Sequence, residues 1–313
     1  MSIFLVGALL LPSLFWPKDP SSAVALQAAG ITDIAVPPAM GDSWKSITNI
    51  KARALDSEQL VKAATPTVNF RAGGNNAAAT HEPWVDSNGW RFLRQPDGSF
   101  FYTAPGKTAA LAAAEAYSYG VQAVVQTDEA GLPSFSKMLQ FLQTLTPQAL
   151  PGLANFQFVD DGSQSSGEFM NLLVRTNLLF KTVKTPEQSP SLTVTLGSPQ
   201  YPKSDAGNPK LLAEKVRANV TDEKRLLRIY GSSVVIARLL GSGAHARLFL
   251  LNYGSARSGV DGMRVRILGE YAKHQLNEFQ VTDAKLLDYK SGSGFTEFTL
   301  SELPVFAVID LDR

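Results

Sequence analysis

The chain has 313 residues, 44% of them hydrophobic and 18% charged, with a formal net charge of +1. These proportions are typical of a globular protein with a sizeable core, and the length suits two or three domains. The balance of 29 Lys+Arg against 28 Asp+Glu gives no basic excess for a nucleic-acid partner. Cysteine is absent, which excludes disulfides, thiolate metal sites and cysteine nucleophiles.

The first residues, Ser2 to Phe15, are almost wholly apolar, like the core of a signal peptide. No Lys or Arg precedes them, no small-residue cleavage site follows, and the run is too short for a comfortable membrane span. We predict a buried strand at Leu10–Trp16, with Met1–Leu9 the remnant or the core of a leader. This favours a secreted or periplasmic protein, although a chain without cysteine is also compatible with the cytoplasm.

The first block alternates strand and helix patterns on both sides of an irregular stretch. Leu10–Trp16, the alanine-rich Ser21–Ala29 and Ile31–Val36 predict a βαβ unit. Residues 37–106 are rich in turn residues and aromatics, which predicts a long ordered loop with a possible short strand at Thr67–Phe70. Thr108–Tyr119 then predicts a helix that ends at Gly120, followed by a strand at Val121–Val125 and a helix at Ser134–Leu145.

The middle block contains the clearest βαβ pattern of the chain. Phe156–Val159 and Leu178–Val183 have strand composition and flank a helix pattern at Gly167–Asn177. A strand at Leu192–Leu196 and a helix at Pro209–Val220 follow. From Arg228 the period changes to two, which predicts an antiparallel sandwich or barrel. Its expected strands are Val234–Leu239, Ala246–Asn252, Met263–Leu268, Asn277–Lys290, Glu297–Leu300 and Val305–Ile309.

Three stretches carry a resemblance: LPSLFWPKDPSSAVALQAAGITDIAVP, AALAAAEAYSYGVQAVVQTDE and VVIARLLGSGAHARLFLLNYG. In this order the chain resembles bacterial glycoside hydrolases of the β-galactosidase type. Those proteins have a βα-barrel, a glutamine-amidotransferase-like flavodoxin domain and a small β-sandwich. A full barrel needs eight βα units, and only three or four strands are recognisable before residue 150. The resemblance therefore implies a partial barrel, and amidotransferase chemistry lacks its Cys nucleophile here.

The predicted fold class is α/β. We expect a partial βα-barrel-like domain with a long aromatic loop at 1–150, a flavodoxin-like domain at 151–231 and an antiparallel β-sandwich at 232–313. A rival interpretation joins every βα unit from Leu10 to Tyr230 into one lean, closed barrel of eight strands. An incomplete barrel leaves a sheet edge to be covered, so we also predict a homo-oligomer.

Glycoside hydrolysis needs two carboxyl groups, close together for retention and farther apart for inversion. Glu129 and Asp128 follow a strand, and Glu82 and Asp86 lie in the aromatic loop; one from each pair would form the catalytic set. Successive residues of an extended segment point opposite ways, so only one of Asp128 and Glu129 faces a given cleft. The alternative is that Asp128 or Glu129 caps the helix beginning near Pro133.

The expected substrate-binding residues lie in one stretch of the loop, because sugars stack on aromatic rings while polar side chains bind their hydroxyls. They are Trp84, Asp86, Asn88, Trp90 and Arg91. The alternative is that both Trp rings plug the open side of the barrel. We expect a split, with Trp84 facing a cleft and Trp90 in the core.

No metal or other cofactor is expected. His81, His245 and His274 are far apart in sequence, and no phosphate-binding fingerprint is present. Asp160, Asp161 and Ser163 could bind a metal or sugar hydroxyls, but turn and capping duty is favoured. The sequence thus predicts a glycoside-hydrolase-like protein acting on a poly- or oligosaccharide. The alternative is a non-catalytic relative that binds carbohydrate or serves as a scaffold.

Overall fold

A computed structural model describes residues 10–69, 83–190 and 192–313. The leader prediction for Met1–Leu9 and the candidate acid Glu82 lie outside these residues. The chain divides into two compact units: Met1–Thr67 with Gln95–Ala149, and Val68–Arg94 with Leu150–Arg313. In the part of the chain that is described, no helix combines the length and apolarity that a membrane crossing requires.

The helices and strands are short, and most helices have twelve residues or fewer. The helices are α1 (Ala23–Ala28), α2 (Gly41–Trp44), α3 (Gly89–Arg94), α4 (Thr108–Tyr119), α5 (Leu132–Thr144), α6 (Gln164–Arg175) and α7 (Pro209–Val220). The strands before residue 200 are β1 (Ser13–Phe15), β2 (Asp33–Val36), β3 (Lys51–Ala54), β4 (Val61–Ala63), β5 (Thr67–Asn69), β6 (Trp84–Asp86), β7 (Ser99–Thr103), β8 (Gln122–Gln126), β9 (Phe156–Val159), β10 (Phe180–Val183) and β11 (Thr193–Thr195). The later strands are β12 (Leu227–Tyr230), β13 (Val235–Ser242), β14 (His245–Asn252), β15 (Val260–Leu268), β16 (Lys273–Glu278), β17 (Leu286–Gly292), β18 (Phe295–Leu303) and β19 (Phe306–Asp312).

The first unit is built on a six-stranded parallel sheet with the order β3-β2-β1-β8-β7-β4. When the order is followed from β4 to β3, the strands run β4, β7, β8 and then β1, β2, β3, which is the order along the chain except that it begins at β4. Neighbouring strands of a βα-barrel follow one another in the same cyclic order. The sheet has β3 and β4 at its edges. Among the described residues no closed ring of eight strands forms, so the rival single-barrel interpretation is wrong for this part of the chain.

The strong helix prediction in this unit is confirmed. α4 covers Thr108–Tyr119 and ends at Gly120, whose φ of +67° is the left-handed conformation that glycine adopts without strain. Its alanines are buried. Since their side chains are small, the helix can approach its neighbours closely. The fully buried Glu115 accepts a hydrogen bond of 2.7 Å from the hydroxyl of Tyr102 on β7.

The expectation of a long loop over residues 37–106 is wrong for the described part of that stretch. It contributes β3, β4 and β7 to the six-stranded sheet, and its ring residues Phe100, Phe101 and Tyr102 are buried on β7. β3 and β4 are only four and three residues long and largely exposed, so neither has an apolar period to recognise.

The second unit contains the predicted βαβ element. β9 pairs in parallel with β10 on one side and with β11 on the other, and α6 connects β9 to β10. Asn177, just after α6, ties this element to the antiparallel part. Its side-chain amide donates to the carbonyl of Val235 (3.0 Å) and its oxygen accepts from the amide of Ala237 (2.8 Å).

The C-terminal part has two four-stranded antiparallel sheets, β12-β15-β18-β17 and β13-β14-β19-β16. Their alternating apolar residues form one buried cluster that includes Leu248, Leu250, Val265, Phe298 and Ile309. The predicted single strand over Asn277–Lys290 is wrong. It is two strands, β16 and β17, separated by a turn in which Gln280 and Asp283 have positive φ angles.

Candidate functional site

Asp128 lies directly after β8, at the carboxyl end of the six-stranded sheet. Its Oδ1 atom accepts hydrogen bonds from the backbone amides of Gly131 and Gly106, both at 2.9 Å. The first bond caps the short 3-10 helix Glu129–Gly131 that leads into α5. This carboxylate therefore fixes the loops after β7 and β8, which is the capping role that sequence analysis weighed against catalysis.

Glu129 has a different kind of partner from its neighbour. Its side chain is 59% exposed, and its Oε1 atom is 2.7 Å from Nζ of Lys18, which follows β1. β1 and β8 are adjacent in the sheet, so the pair bridges two neighbouring strand ends. Both residues are exposed; Asp128 accepts hydrogen bonds from backbone amides, whereas Glu129 pairs with a side chain.

Capping recurs at other strand ends of this unit. Asp19, after β1, accepts from the amide of Ser21 at 2.9 Å, and Asp56, after β3, accepts from the amide of Glu58 at 3.1 Å. Hydrogen bonds from Ser21, first from its side chain and then from its backbone amide, lower the pKa of Asp19. An acid at a strand end is therefore, in this sheet, most often the first residue of a helical turn.

Asp160 occupies the corresponding position after β9 in the second unit. Its side chain is completely buried and binds the guanidinium of Arg94 through two bonds, Nε to Oδ2 at 2.9 Å and Nη2 to Oδ1 at 2.7 Å. The amide of Gly162 also donates to Oδ1 (3.0 Å), and Nζ of Lys184 is 3.9 Å from Oδ2. This buried carboxylate attaches α3 to the end of the small parallel sheet.

Asp161 stabilises the turn into α6. Its Oδ1 atom accepts from the hydroxyl of Ser166 (2.6 Å) and the amide of Ser163 (2.9 Å), and Ser163 is the N-cap of the helix. These hydrogen bonds, chiefly that from Ser166, lower the pKa of Asp161 to about 2. Turn and capping duty, the favoured interpretation of Asp160, Asp161 and Ser163, is what the structure shows.

Trp84 begins β6 in the second unit and is 36% exposed. Its indole Nε1 donates to Oδ1 of Asp86 at 2.9 Å, and the other oxygen of Asp86 accepts from the side-chain amide nitrogen of Asn69 on β5. The guanidinium of Arg175 lies 3.7 Å from the centre of the Trp84 ring, and its Nη2 reaches the carbonyl of Pro83 at 3.5 Å. We call Trp84, Asp86 and Arg175 the Trp84 surface.

Trp90 has a different environment. It is partly buried in α3, with the guanidinium carbons of Arg91 and Arg94 at 4.4 Å and 5.3 Å from its ring centre. A Cβ at Gly167 would be 2.8 Å from its Cζ3 atom, so the ring packs directly on α6. The arrangement stabilises the contact between α3 and α6.

The other two predicted binding residues also lie in or beside α3. Asn88 is fully buried, and its side-chain oxygen accepts from Nη1 of Arg91 at 3.2 Å. The structure thus brings Trp84 together with Asp86, and Trp90 together with Arg91 and Asn88. Asp128 and Glu129 belong to the other compact unit, so the proposed catalytic pairs are not tested.

Sequence reasoning missed Arg175 and Lys18. Arg175 is 91 positions from Trp84 in the chain, and the pattern of α6 gives its last turn no special signal. Lys18 follows β1 as Glu129 follows β8, so recognising that β1 and β8 are neighbours would have paired them. Neither contact can be found from periodicity alone.

No protein-family model matches the chain, and no curated protein matches it. Among solved structures, α-L-fucosidase isoenzyme 2 from Paenibacillus thiaminolyticus covers 96% of this chain and 77% of its own, with a TM-score of 0.53 and 7% identity. A maltogenic α-amylase from Thermotoga neapolitana (TM-score 0.24, 8% identity, 99% of each chain) is also similar. So is a family 98 glycoside hydrolase module from Streptococcus pneumoniae (TM-score 0.26, 8% identity, 95% of this chain and 72% of that one).

TM-scores as low as the last two establish no shared fold. The fucosidase alignment does, so the chain has a glycoside-hydrolase-like fold: a mixed α/β structure with parallel sheets and C-terminal antiparallel sheets. The resemblance to glycoside hydrolases is therefore confirmed at the level of the fold. At 7% identity the alignment concerns the fold alone.

Proposed function

We propose that this protein binds a poly- or oligosaccharide and that the Trp84 surface is its binding platform. The observation that carries the proposal is the environment of the ring. Trp84 is 36% exposed although Asp86 fixes its indole NH and Arg175 lies over the ring. A sugar can stack on an oriented, accessible ring while charged groups beside it bind hydroxyls, and little side-chain entropy is then lost on binding.

The shared fold supports carbohydrate as the ligand class, because the matched structure is named an α-L-fucosidase. The finer assignments remain proposals: the β-galactosidase type, a flavodoxin-like, amidotransferase-like element at β9–β11, secretion and a homo-oligomer. Parallel pairing of β9 with β10 and β11 supports the second of these. Light scattering at micromolar concentration tests the last, and a monomer mass would contradict it.

Binding is tested by calorimetry against a set of neutral oligosaccharides: cellotriose, xylotriose, maltotriose, galactotriose and fucosyllactose. Trp84→Ala should weaken binding of the recognised sugar at least about ten-fold, or ~1.4 kcal/mol. Tyr230→Ala is the matched control, because Tyr230 is another exposed ring (44%) in the same unit. Equal affinity of the wild type and Trp84→Ala would contradict the proposal.

A second candidate function is glycoside hydrolysis with Glu129 as one of the carboxylates. The observation favouring it is that Glu129 is 59% exposed at a parallel strand end, where α/β folds place ligands, and pairs with Lys18, whereas Asp128 accepts backbone amides. Glu82 and Asp86 remain its proposed partners.

Chromogenic glycosides would be hydrolysed by the wild type and not by Glu129→Gln. Lys18→Met removes the partner of Glu129 but keeps the carboxylate, so it should retain turnover. Turnover by Glu129→Gln equal to wild type would rule out this role.

A further inference from the structure

One end of the C-terminal sandwich contains an open cavity of about 1070 Å³, slightly above the usual size range of small-molecule sites. Its walls come from the β13–β14 turn, the β15–β16 loop and the β17–β18 hairpin, with Leu153 and Leu226 from the chain before the sandwich. All of these residues belong to the second unit. No residue of the Trp84 surface lines this cavity.

The wall formed by the β15–β16 loop is held in place before any ligand arrives. The hydroxyl of Thr296 donates to the carbonyl of Gly269 (2.8 Å) and accepts from the amide of Tyr271 (2.9 Å). Oε1 of Glu270 accepts from the amide of Gly294 at 2.6 Å, and the hydroxyl of Tyr289 donates to the carbonyl of Tyr271 at 2.7 Å. A pre-formed wall costs little conformational entropy on binding.

The lining combines apolar surface with separated polar groups. Leu268 is 40% exposed, and the partly buried side chain of Tyr289 adds aromatic surface. Glu270, Ser242 and Ser291 bring oxygen atoms to the same space. Apolar surface that is interrupted by carboxylate and hydroxyl groups suits a ligand with apolar CH faces and a rim of hydroxyls.

Charge narrows the ligand class further. The side-chain charges of Glu270 and Arg313 are opposite, and the imidazole of His245 is paired with the carboxylate of Asp312. The lining therefore has no excess charge to bind a phosphate or another strongly ionic group. A neutral, hydroxyl-rich molecule fits the balance.

We propose that this cavity is a second binding site that takes a neutral saccharide, independent of the Trp84 surface. The Leu268 side chain lies under the CH face of the sugar, while Glu270 accepts hydrogen bonds from its hydroxyls. Binding here would hold a polymeric ligand at two places on the same chain, which raises the effective concentration at each.

The test uses the full chain with Trp84→Ala, so that failure of the Trp84 surface does not affect the result. The same five oligosaccharides are titrated while the backbone amides of Gly241, Gly243, Gly269 and Gly294, all in the lining, are followed by NMR. At least one sugar should shift these resonances saturably. If none does at millimolar concentration, the proposal is overturned.

Leu268→Glu should weaken that binding at least about ten-fold, because it removes the apolar wall and adds a charge. Leu287→Glu is the matched control, since Leu287 is an equally exposed leucine (46%) on β17 outside the lining. Glu270→Gln keeps an acceptor for Gly294 and should weaken binding several-fold without loss of folding. Equal effects at Leu268 and Leu287, together with unchanged affinity in Glu270→Gln, would overturn the proposal.

Discussion

The carboxyl end of the six-stranded sheet and the Trp84 surface differ in how far folding already uses their polar groups. At the sheet, the carboxylates of Asp19, Asp56 and Asp128 each accept a hydrogen bond from a backbone amide in a helical turn that follows a strand. At the Trp84 surface, Asp86 and Arg175 fix a ring that stays exposed. In the first region the carboxylates stabilise the fold, whereas in the second region charged groups orient a side chain toward solvent.

This difference shows that position at a strand end is a weak indicator of catalysis. A carboxylate there satisfies free backbone amides whether or not a substrate exists. Hydrogen-bond partners distinguish the cases better, because a carboxylate that already accepts backbone amides or a partly buried guanidinium has a structural role. By this criterion Glu129, whose partner is the side chain of Lys18, and Trp84 remain candidates, whereas Asp128 and Asp160 do not.

The largest effect is expected for Asp160→Ala. It leaves the guanidinium of Arg94, whose side chain is 17% exposed, without its carboxylate, and breaking such a pair costs about 3 to 5 kcal/mol. Urea unfolding measures the loss. Glu187→Gln is the control, since it removes an exposed pair with Lys181 and should cost less than about 1 kcal/mol. Equal losses in the two variants would show that Asp160 is not structural.

Glu278 is a carboxyl group with the opposite character. It is 6% exposed on β16, and neither of its oxygens has a hydrogen-bond partner among the described residues. Burial, with a smaller contribution from Glu302, raises its pKa from 4.5 to about 8. Between these values the unfolded chain releases the proton and the folded chain keeps it, so the free energy of unfolding falls as the pH rises.

Glu278→Gln should therefore be more stable than wild type near pH 8, with the gain shrinking toward pH 4. Thermal unfolding across this range measures the difference. Asp261→Asn, at an exposed position on β15, is the control and should give a pH-independent difference. A gain that is constant with pH would contradict the assignment of a buried neutral carboxyl.

A smaller effect separates the two adjacent candidates after β8. Asp128→Ala removes a cap and should cost about 1 kcal/mol. Glu129→Gln breaks only an exposed ion pair and should cost less than about 0.5 kcal/mol. Chemical denaturation of both variants gives the comparison, and a larger loss for Glu129→Gln would reverse the roles assigned here.

The sequence predicted the elements whose signal is local. The alanines of α4 and the glycine that ends it define that helix without reference to the rest of the chain. The apolar run Phe156–Val159, followed by the helical pattern of α6, likewise defines the start of the βαβ element. β3 and β4 were missed because three or four exposed residues carry no apolar period. β7 was missed because its aromatic residues were attributed to a loop, although β-strands favour aromatics.

The candidate site was predictable only in part, for a similar reason. The polar and aromatic cluster from Trp84 to Arg91 is visible in the sequence. The partners that fix it are distant along the chain: Arg175 for Trp84, and Asp160 for the Arg94 that flanks Trp90. Such contacts depend on how helices and strands pack, which local patterns do not encode.

The central claim is that binding and structure reside on different groups, with Trp84 serving the ligand and Asp128 the fold. Measuring both properties in Trp84→Ala and Asp128→Ala, by calorimetry with the recognised oligosaccharide and by urea unfolding, tests it directly. We predict that Trp84→Ala loses at least about ten-fold in affinity and keeps its stability. Asp128→Ala should lose about 1 kcal/mol of stability and keep its affinity. Full affinity in Trp84→Ala, or weakened binding by folded Asp128→Ala, would contradict the account.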